Sequence, residues 1–219
     1  NVVVRARDFE LSGNQTNTVI SGRVQFQFGK RNVVRGFTIR KSATPAVEFR
    51  SNGATNTLRN CVIPHSNSSA AIYVYQKSAS GNRIFSNRIV GWAPTVSLPN
   101  YGVYISYGAG TVISNNVIAH VYQYGIYLDH ARESRIGRNA LRTNGSGSYA
   151  GIAMYAAKSN RIESNTIQNC YRGIEIGNSN RGNLIARNRV FRGGQAGIML
   201  SSTTHSNFVF ANEIWSNSS

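Results

Sequence analysis

A doublet of asparagines returns along this chain with the length of one solenoid coil, and no other feature constrains its fold as much. The pattern Asn-x-Ψ-x-x-Asn-x-Ψ, with Ψ aliphatic, reads Asn82-Arg-Ile84 then Asn87-Arg-Ile89, and Asn160-Arg-Ile162 then Asn165-Thr-Ile167. It recurs at Asn183 with Asn188 and at Asn207 with Asn212. Two weaker copies keep only the second member, at Asn116 and Asn139, with Thr111 and Ser134 in the first place. The second-member positions 87, 116, 139, 165, 188 and 212 lie 29, 23, 26, 23 and 24 residues apart. A period in this range marks stacked repeats, each burying its apolar face against its neighbours.

A second motif, Gly-Ψ-x-Ψ, precedes the later copies: Gly102-Val-Tyr-Ile105, Gly125-Ile-Tyr-Leu128, Gly151-Ile-Ala-Met154, Gly173-Ile-Glu-Ile176 and Gly197-Ile-Met-Leu200. Alternation with period two over so few residues is strand, not helix. The sequence therefore reads as all-β: a right-handed parallel β-helix of about eight coils, three short strands per coil, forming one domain. In such a coil an Asn side chain bonds the backbone of its neighbours and builds a ladder along the axis, while Gly supplies backbone freedom at the other bend. Phe37 and Cys61 hold the ladder position in earlier coils, so the ladder should end there. The longer spacings contain residues 92–99 and 143–148, excursions of the kind that wall a groove. Cys61 and Cys170 fall several coils apart, too far for a disulfide, and are expected to be reduced.

Lys and Arg outnumber Asp and Glu by 24 to 8, a formal charge of +16. That field attracts polyanions: nucleic acid, acidic polysaccharide or an anionic membrane surface. The bases are scattered and not clustered, which argues against a disordered basic arm. No stretch approaches the ~18 apolar residues of a membrane span. With no initiator Met at Asn1, the chain is expected to be a mature or excised product from an extracellular or periplasmic setting. Asn1-Val-Val-Val4 opens in apparent strand and residues 212–219 finish inside a repeat. Either the chain is a fragment of something longer, or coils of separate molecules associate end to end.

If the x of Gly-Ψ-x-Ψ faces outward, one column reads Glu48, Tyr73, Tyr104, Tyr127, Ala153, Glu175, Met199, and a second reads Arg50, Tyr75, Ser106, Asp129, Tyr155. Tyrosines in such columns suit stacking on sugar faces, with a hydroxyl at hand; aromatic ladders also stabilise a sheet for its own sake. The x of Asn-x-Ψ gives a third column in which Arg135 and Arg161 are successive, with Arg132 and Lys158 close in sequence. Glu133 and Glu163 could screen them, or an anionic ligand could. Tyr73, Tyr104, Tyr127, Arg132, Arg135 and Arg161 are thus the candidate substrate-binding residues, and His130, Tyr155 and Lys158 the candidates for moving a proton.

The Asn- and Gly-punctuated coils resemble the right-handed β-helix superfamily of pectate-lyase-like enzymes and periplasmic copper-processing β-helix proteins. Ile20-Ser-Gly22, Asn32-Val-Val-Arg-Gly-Phe37, Val47-Glu-Phe-Arg50 and Asn56-Thr-Leu-Arg-Asn-Cys-Val-Ile63 are more narrowly similar to the opening coils of the chondroitinase B and alginate lyase family. That resemblance implies a Lys base in a segment like Lys158-Ser159-Asn160, an Arg one coil later, and a calcium ion on the uronate carboxylate. The strand Gly173-Ile-Glu-Ile-Gly177 has no Arg, and no acidic cluster marks a calcium site, so from the residues alone no cofactor is expected. The leading reading is an acidic-polysaccharide-binding protein, with lyase chemistry by β-elimination as its enzymatic form. The alternative is a non-catalytic structural or adhesive solenoid; nucleic-acid binding has only charge in its favour.

Overall fold

The computed structural model describes residues 1–14, 17–40, 45–50, 54–65, 70–75, 80–91, 100–142 and 149–215. The excursions at 92–99 and 143–148 lie outside them. Short strands wind around one axis and pair only in parallel, each with its equivalent one coil away, giving three sheets of nine strands. Eight turns lead from Val2–Val4 to Ala196–Leu200 in the first sheet, matching the coil count expected from the repeat. The Gly-Ψ-x-Ψ segments form this first sheet. The two halves of the Asn doublet form the second, with Arg135–Gly137 and Arg161–Glu163, and the third, with Val117–Ala119 and Thr166–Gln168.

Strict register stacks like on like. Ile84, Ile113, Ile136, Ile162 and Ile185 follow one another in the second sheet. Ile63, Ile89, Ile118, Leu141, Ile167 and Val190 do so in the third. These side chains are at most 1% exposed, and each contributes roughly 1.5–3 kcal/mol by burial. At the N-terminal end, Phe26 stacks on Phe49 with centroids 4.6 Å apart. Cys61 and Cys170 are buried and unbridged, as expected.

The asparagines form the expected ladder. Asn116 donates its backbone N–H and its Nδ2 to Asn139 Oδ1 (3.0 and 2.9 Å), and Nδ2 also reaches the carbonyl of Ile84 at 2.9 Å. The same bonds join Asn139, Asn165, Asn188 and Asn212. The ladder ends where Cys61 N–H donates to Asn87 Oδ1 at 3.0 Å, and Phe37 occupies the next place as core. A second ladder, from the first Asn of each doublet, extends further toward the N-terminus than the doublet alone suggests, linking Asn32, Asn56 and Asn82. It resumes from Ser134 through Asn160, Asn183 and Asn207. Each rung is preceded by a residue in the left-handed region, such as Asn115 (φ 54), Arg138 (φ 57) and Ser164 (φ 57).

The glycines of Gly-Ψ-x-Ψ act differently from the expectation. No left-handed φ is found at Gly102, Gly125, Gly151 or Gly173. They are required by close approach: a Cβ on Gly125 would sit 2.6 Å from the carbonyl oxygen of Gly151 and 2.6 Å from Leu141 Cδ2. The first and third sheets meet at this corner, so nothing larger than hydrogen fits.

The gap in the second ladder supplies a test. Thr111 and Ser134 fill two successive rungs, and Thr111 Oγ1 is buried with no hydrogen-bond partner. The double change Thr111→Asn with Ser134→Asn should join the two halves and raise unfolding free energy by about 1 kcal/mol per restored bond. Denaturant melts with unchanged or lowered stability would mean that the amides do not add to the fold at these rungs.

Candidate functional site

The first sheet presents the expected outward columns in register. Glu48, Tyr73, Tyr104, Tyr127 and Ala153 are successive partners, as are Tyr75, Ser106, Asp129 and Tyr155. Tyr73 and Tyr104 have ring centroids 4.9 Å apart, and Tyr104 and Tyr127 are 5.3 Å apart. Alternation alone missed half of this surface. Extending period two backwards through the Gly would turn Tyr101 and Tyr124 inward. Gly102 and Val103 are instead both buried, as are Gly125 and Ile126. The chain rounds its corner there, and the preceding tyrosines emerge on the same face. Tyr101 lies 5.1 Å from Tyr104, Tyr124 lies 5.0 Å from Tyr127, and Tyr149 meets Tyr124 edge-on at 5.5 Å.

Crowding sets the protonation of this face. Burial among neighbouring rings pushes the Tyr124 phenol up to about 12, with the Glu175 carboxylate adding to the effect. Burial raises Tyr104 and Tyr127 further, and the Asp129 carboxylate adds to both. Tyr104 donates its hydroxyl to Asp129 Oδ2 at 3.0 Å. These phenols are therefore neutral donors at physiological pH, and a proton-abstracting role for Tyr127 runs against its environment.

Asp129 closes the strand Tyr124–Asp129 and faces two groups at once. Its Oδ1 lies 2.6 Å from His130 Nδ1, while Oδ2 holds Tyr104. When Nδ1 carries a proton toward this carboxylate, Nε2 is the nitrogen left to accept one. His130 sits at the next corner with φ 53. Its ring stacks on Tyr107, the equivalent corner residue one coil earlier, at 4.5 Å, and meets Tyr155 edge-on at 5.9 Å. The His130 side chain remains 39% exposed. The structure thus brings His130, Tyr155 and Tyr104 together with Asp129 of the second outward column, and adds Tyr107, which column reasoning did not place on this face.

The basic candidates divide between two places. Arg132 and Lys158 are direct register partners on the corner beyond His130, and Arg181 follows Lys158. Arg135 and Arg161 are partners on the second sheet. Of the two carboxylates expected to screen them, only Glu163 does so, gripping Arg161 with Nη2–Oε1 at 3.0 Å and Nε–Oε2 at 3.2 Å. Among the described residues Arg132, Arg135, Lys158 and Glu133 have no ion-pair partner.

The other carboxylates are spread singly against bases: Asp8 on Arg31, Glu10 on Arg35, Glu48 on Arg23 and Arg50, Glu175 on Arg172, Glu213 on Arg189. No three His, Cys, Asp or Glu side chains among the described residues converge to hold a metal ion. The calcium implied by resemblance to the lyases therefore finds no acidic cluster there. A pH titration of stability tests the tyrosine face. Because folding raises these phenol pKa values, their contribution is intact below the ordinary tyrosine range near 10 and is lost as pH rises through the folded values. Unfolding free energy should fall above about pH 10, and the fall should shrink in Tyr104→Phe with Tyr127→Phe. An identical alkaline fall in that variant would place the titration elsewhere.

Comparison with known proteins follows the same lines. The periplasmic alginate epimerase AlgG superposes with a TM-score of 0.75 at 12% identity over 88% of this chain, which spans 47% of the epimerase. An alginate lyase from Paenibacillus sp. also gives 0.75 at 12% identity, over 97% of this chain and 85% of the lyase. The tailspike protein of E. coli bacteriophage HK620, solved with a pentasaccharide, gives 0.64 at 13% identity over 95% of this chain and 44% of its own. At these identities the likeness is one of fold. No curated protein sequence matches the chain. A family described as periplasmic copper-binding protein (NosD) matches residues 93–219. The described residues do not fit copper: no three His, Cys, Asp or Glu side chains converge, and burial pushes the Cys61 thiol up to about 11, away from the thiolate that a metal requires. With more than half of its length matched, the chain belongs to the NosD family of parallel β-helix proteins.

Proposed function

We propose that this protein binds an acidic polysaccharide across the tyrosine face of its first sheet, in a periplasmic or extracellular setting, and cleaves it by β-elimination. The observation that carries this reading is the Asp129–His130 pair, set at the edge of the stacked tyrosines and two residues before the base Arg132, which forms no ion pair among the described residues. Neutral tyrosine rings offer flat faces for pyranoses and hydroxyls for their oxygens. Periplasmic alginate-epimerase and alginate-lyase folds among the solved structures support the substrate class.

In this reading His130 Nε2 takes the C5 proton of a bound uronate while Asp129 holds the ring and stabilises the imidazolium. The C5–H electron pair becomes the C4–C5 double bond. The C4–O4 bond breaks, and the leaving oxygen takes a proton from Tyr155, or from Lys158 on the adjoining corner. Arg132 and Arg135 neutralise the uronate carboxylate, which favours loss of the C5 proton, and Arg161 assists despite its Glu163 partner. Tyr73, Tyr104 and Tyr127 hold the flanking sugars.

Incubation with a panel of acidic polysaccharides, followed by ultraviolet absorbance of the unsaturated uronate, tests the main reading. His130→Ala should reduce turnover by about 10²–10⁴-fold and leave binding nearly unchanged, since a base acts on the transition state. Tyr104→Ala with Tyr127→Ala should weaken binding instead. Binding without any unsaturated product would remove the lyase step, and full activity in His130→Ala would remove this base.

A further inference from the structure

Sequence inspection did not single out the column of residues that lies two places before each first-ladder position. On successive coils it reads Ala109, Arg132, Lys158, Arg181 and His205, each the direct backbone partner of the next. Strand-like pairing spaces these rungs by about 4.8 Å. All four basic members are exposed, and none forms an ion pair among the described residues. Seven other bases are treated differently: Arg23, Arg31, Arg35, Arg50, Arg161, Arg172 and Arg189 each hold a carboxylate. Like charges placed directly opposite one another oppose the fold, so this column carries a cost that its own carboxylates do not offset.

We propose that Arg132, Lys158 and Arg181 form a cation track, with the His205 imidazole as a hydrogen-bonding group at its end, that binds an acidic polysaccharide lengthwise, parallel to the solenoid axis, with one anionic sugar on each rung. This rests on the polysaccharide reading above and deepens it by assigning Arg181 and His205 and by fixing the direction of the polymer. The track starts two residues beyond His130, so a chain lying on it passes the Asp129–His130 pair at one end. Its rung spacing is that of one glycosidically linked pyranose in an extended polymer. A nucleic-acid duplex, by contrast, places phosphates about 3.4 Å apart along each strand and falls out of step within a few rungs. A uniformly charged polyuronate therefore fits better than a duplex or a polymer charged at long intervals.

Calorimetric titration with oligouronates from dimer to octamer tests this, using the full chain. Affinity should climb with each unit until the track is filled near the tetramer and then level off. Arg181→Glu should weaken tetramer binding about tenfold, or 1.4 kcal/mol, and leave the dimer nearly unchanged. It should also raise the melting temperature, because the new carboxylate faces Lys158; Arg181→Lys should retain both binding and stability. Loss of binding together with a lowered melting temperature would point to damaged folding, and Arg181→Gln, which removes the charge without reversing it, must then show the same selective loss or the proposal falls. Wild-type binding that is indifferent to oligomer length and to Arg181→Glu overturns the track while leaving the polysaccharide reading intact. Binding of single-stranded DNA in place of every oligouronate overturns both.

Discussion

The side-chain amide ladder is the interaction on which the rest of this structure depends. An asparagine at the corner of one coil donates to a carbonyl of the preceding coil and to the amide oxygen of the following one, and its own oxygen accepts from the backbone and side-chain N–H groups of the preceding asparagine. Asn116 shows the full set: it donates to Ile84 and Asn139 and accepts from Asn87. These bonds sit in the core, where an unsatisfied amide would cost about 1–3 kcal/mol. They also hold in place the left-handed residue before every rung, a conformation unfavourable for side chains such as Arg138 and Ala211. Lose the amide, and the corner has no reason to keep that geometry.

Fixed corners fix the register, and register turns single residues into columns. That is how isolated tyrosines, separated by more than twenty residues in sequence, become one surface, and how Arg132, Lys158 and Arg181 become neighbours. The same geometry explains the site's electrostatics. Close-packed rings exclude water and keep Tyr104, Tyr124 and Tyr127 protonated, while Asp129 is held between a phenol and an imidazole. The two rungs of the second ladder that lack an amide, at Thr111 and Ser134, belong to the coils that carry Tyr104 and Asp129.

Much of this was legible in the sequence, because a ladder asparagine and an alternating strand each leave a local pattern. The stacking of Asn87 through Asn212 and the columns through Tyr73, Tyr104 and Tyr127 followed directly from the spacing. What could not be read were the corners. Two consecutive inward residues at Gly102 and Val103 break the alternation that would have turned Tyr101 inward. Most left-handed positions are filled by residues such as Ser, Arg, Asn and His, and among the described residues Gly announces only those at Gly36, Gly81, Gly110 and Gly182, so His130 was visible as a candidate but its stacking on Tyr107 was not. Glycine itself misled: Gly125 and Gly151 answer to crowding between sheets and not to backbone freedom. The basic column was hidden because its members sit outside the strands, where no periodic apolar neighbour sets their phase.

A crystal structure of the protein soaked with a short oligouronate would test the central claim most directly. The account places a sugar ring over Tyr104 and Tyr127, its C5 facing His130 Nε2 and its carboxylate turned to Arg132 or Arg135. Density for the sugar on the second or third sheet, or a bare tyrosine face in crystals whose ligand is bound elsewhere, would contradict it.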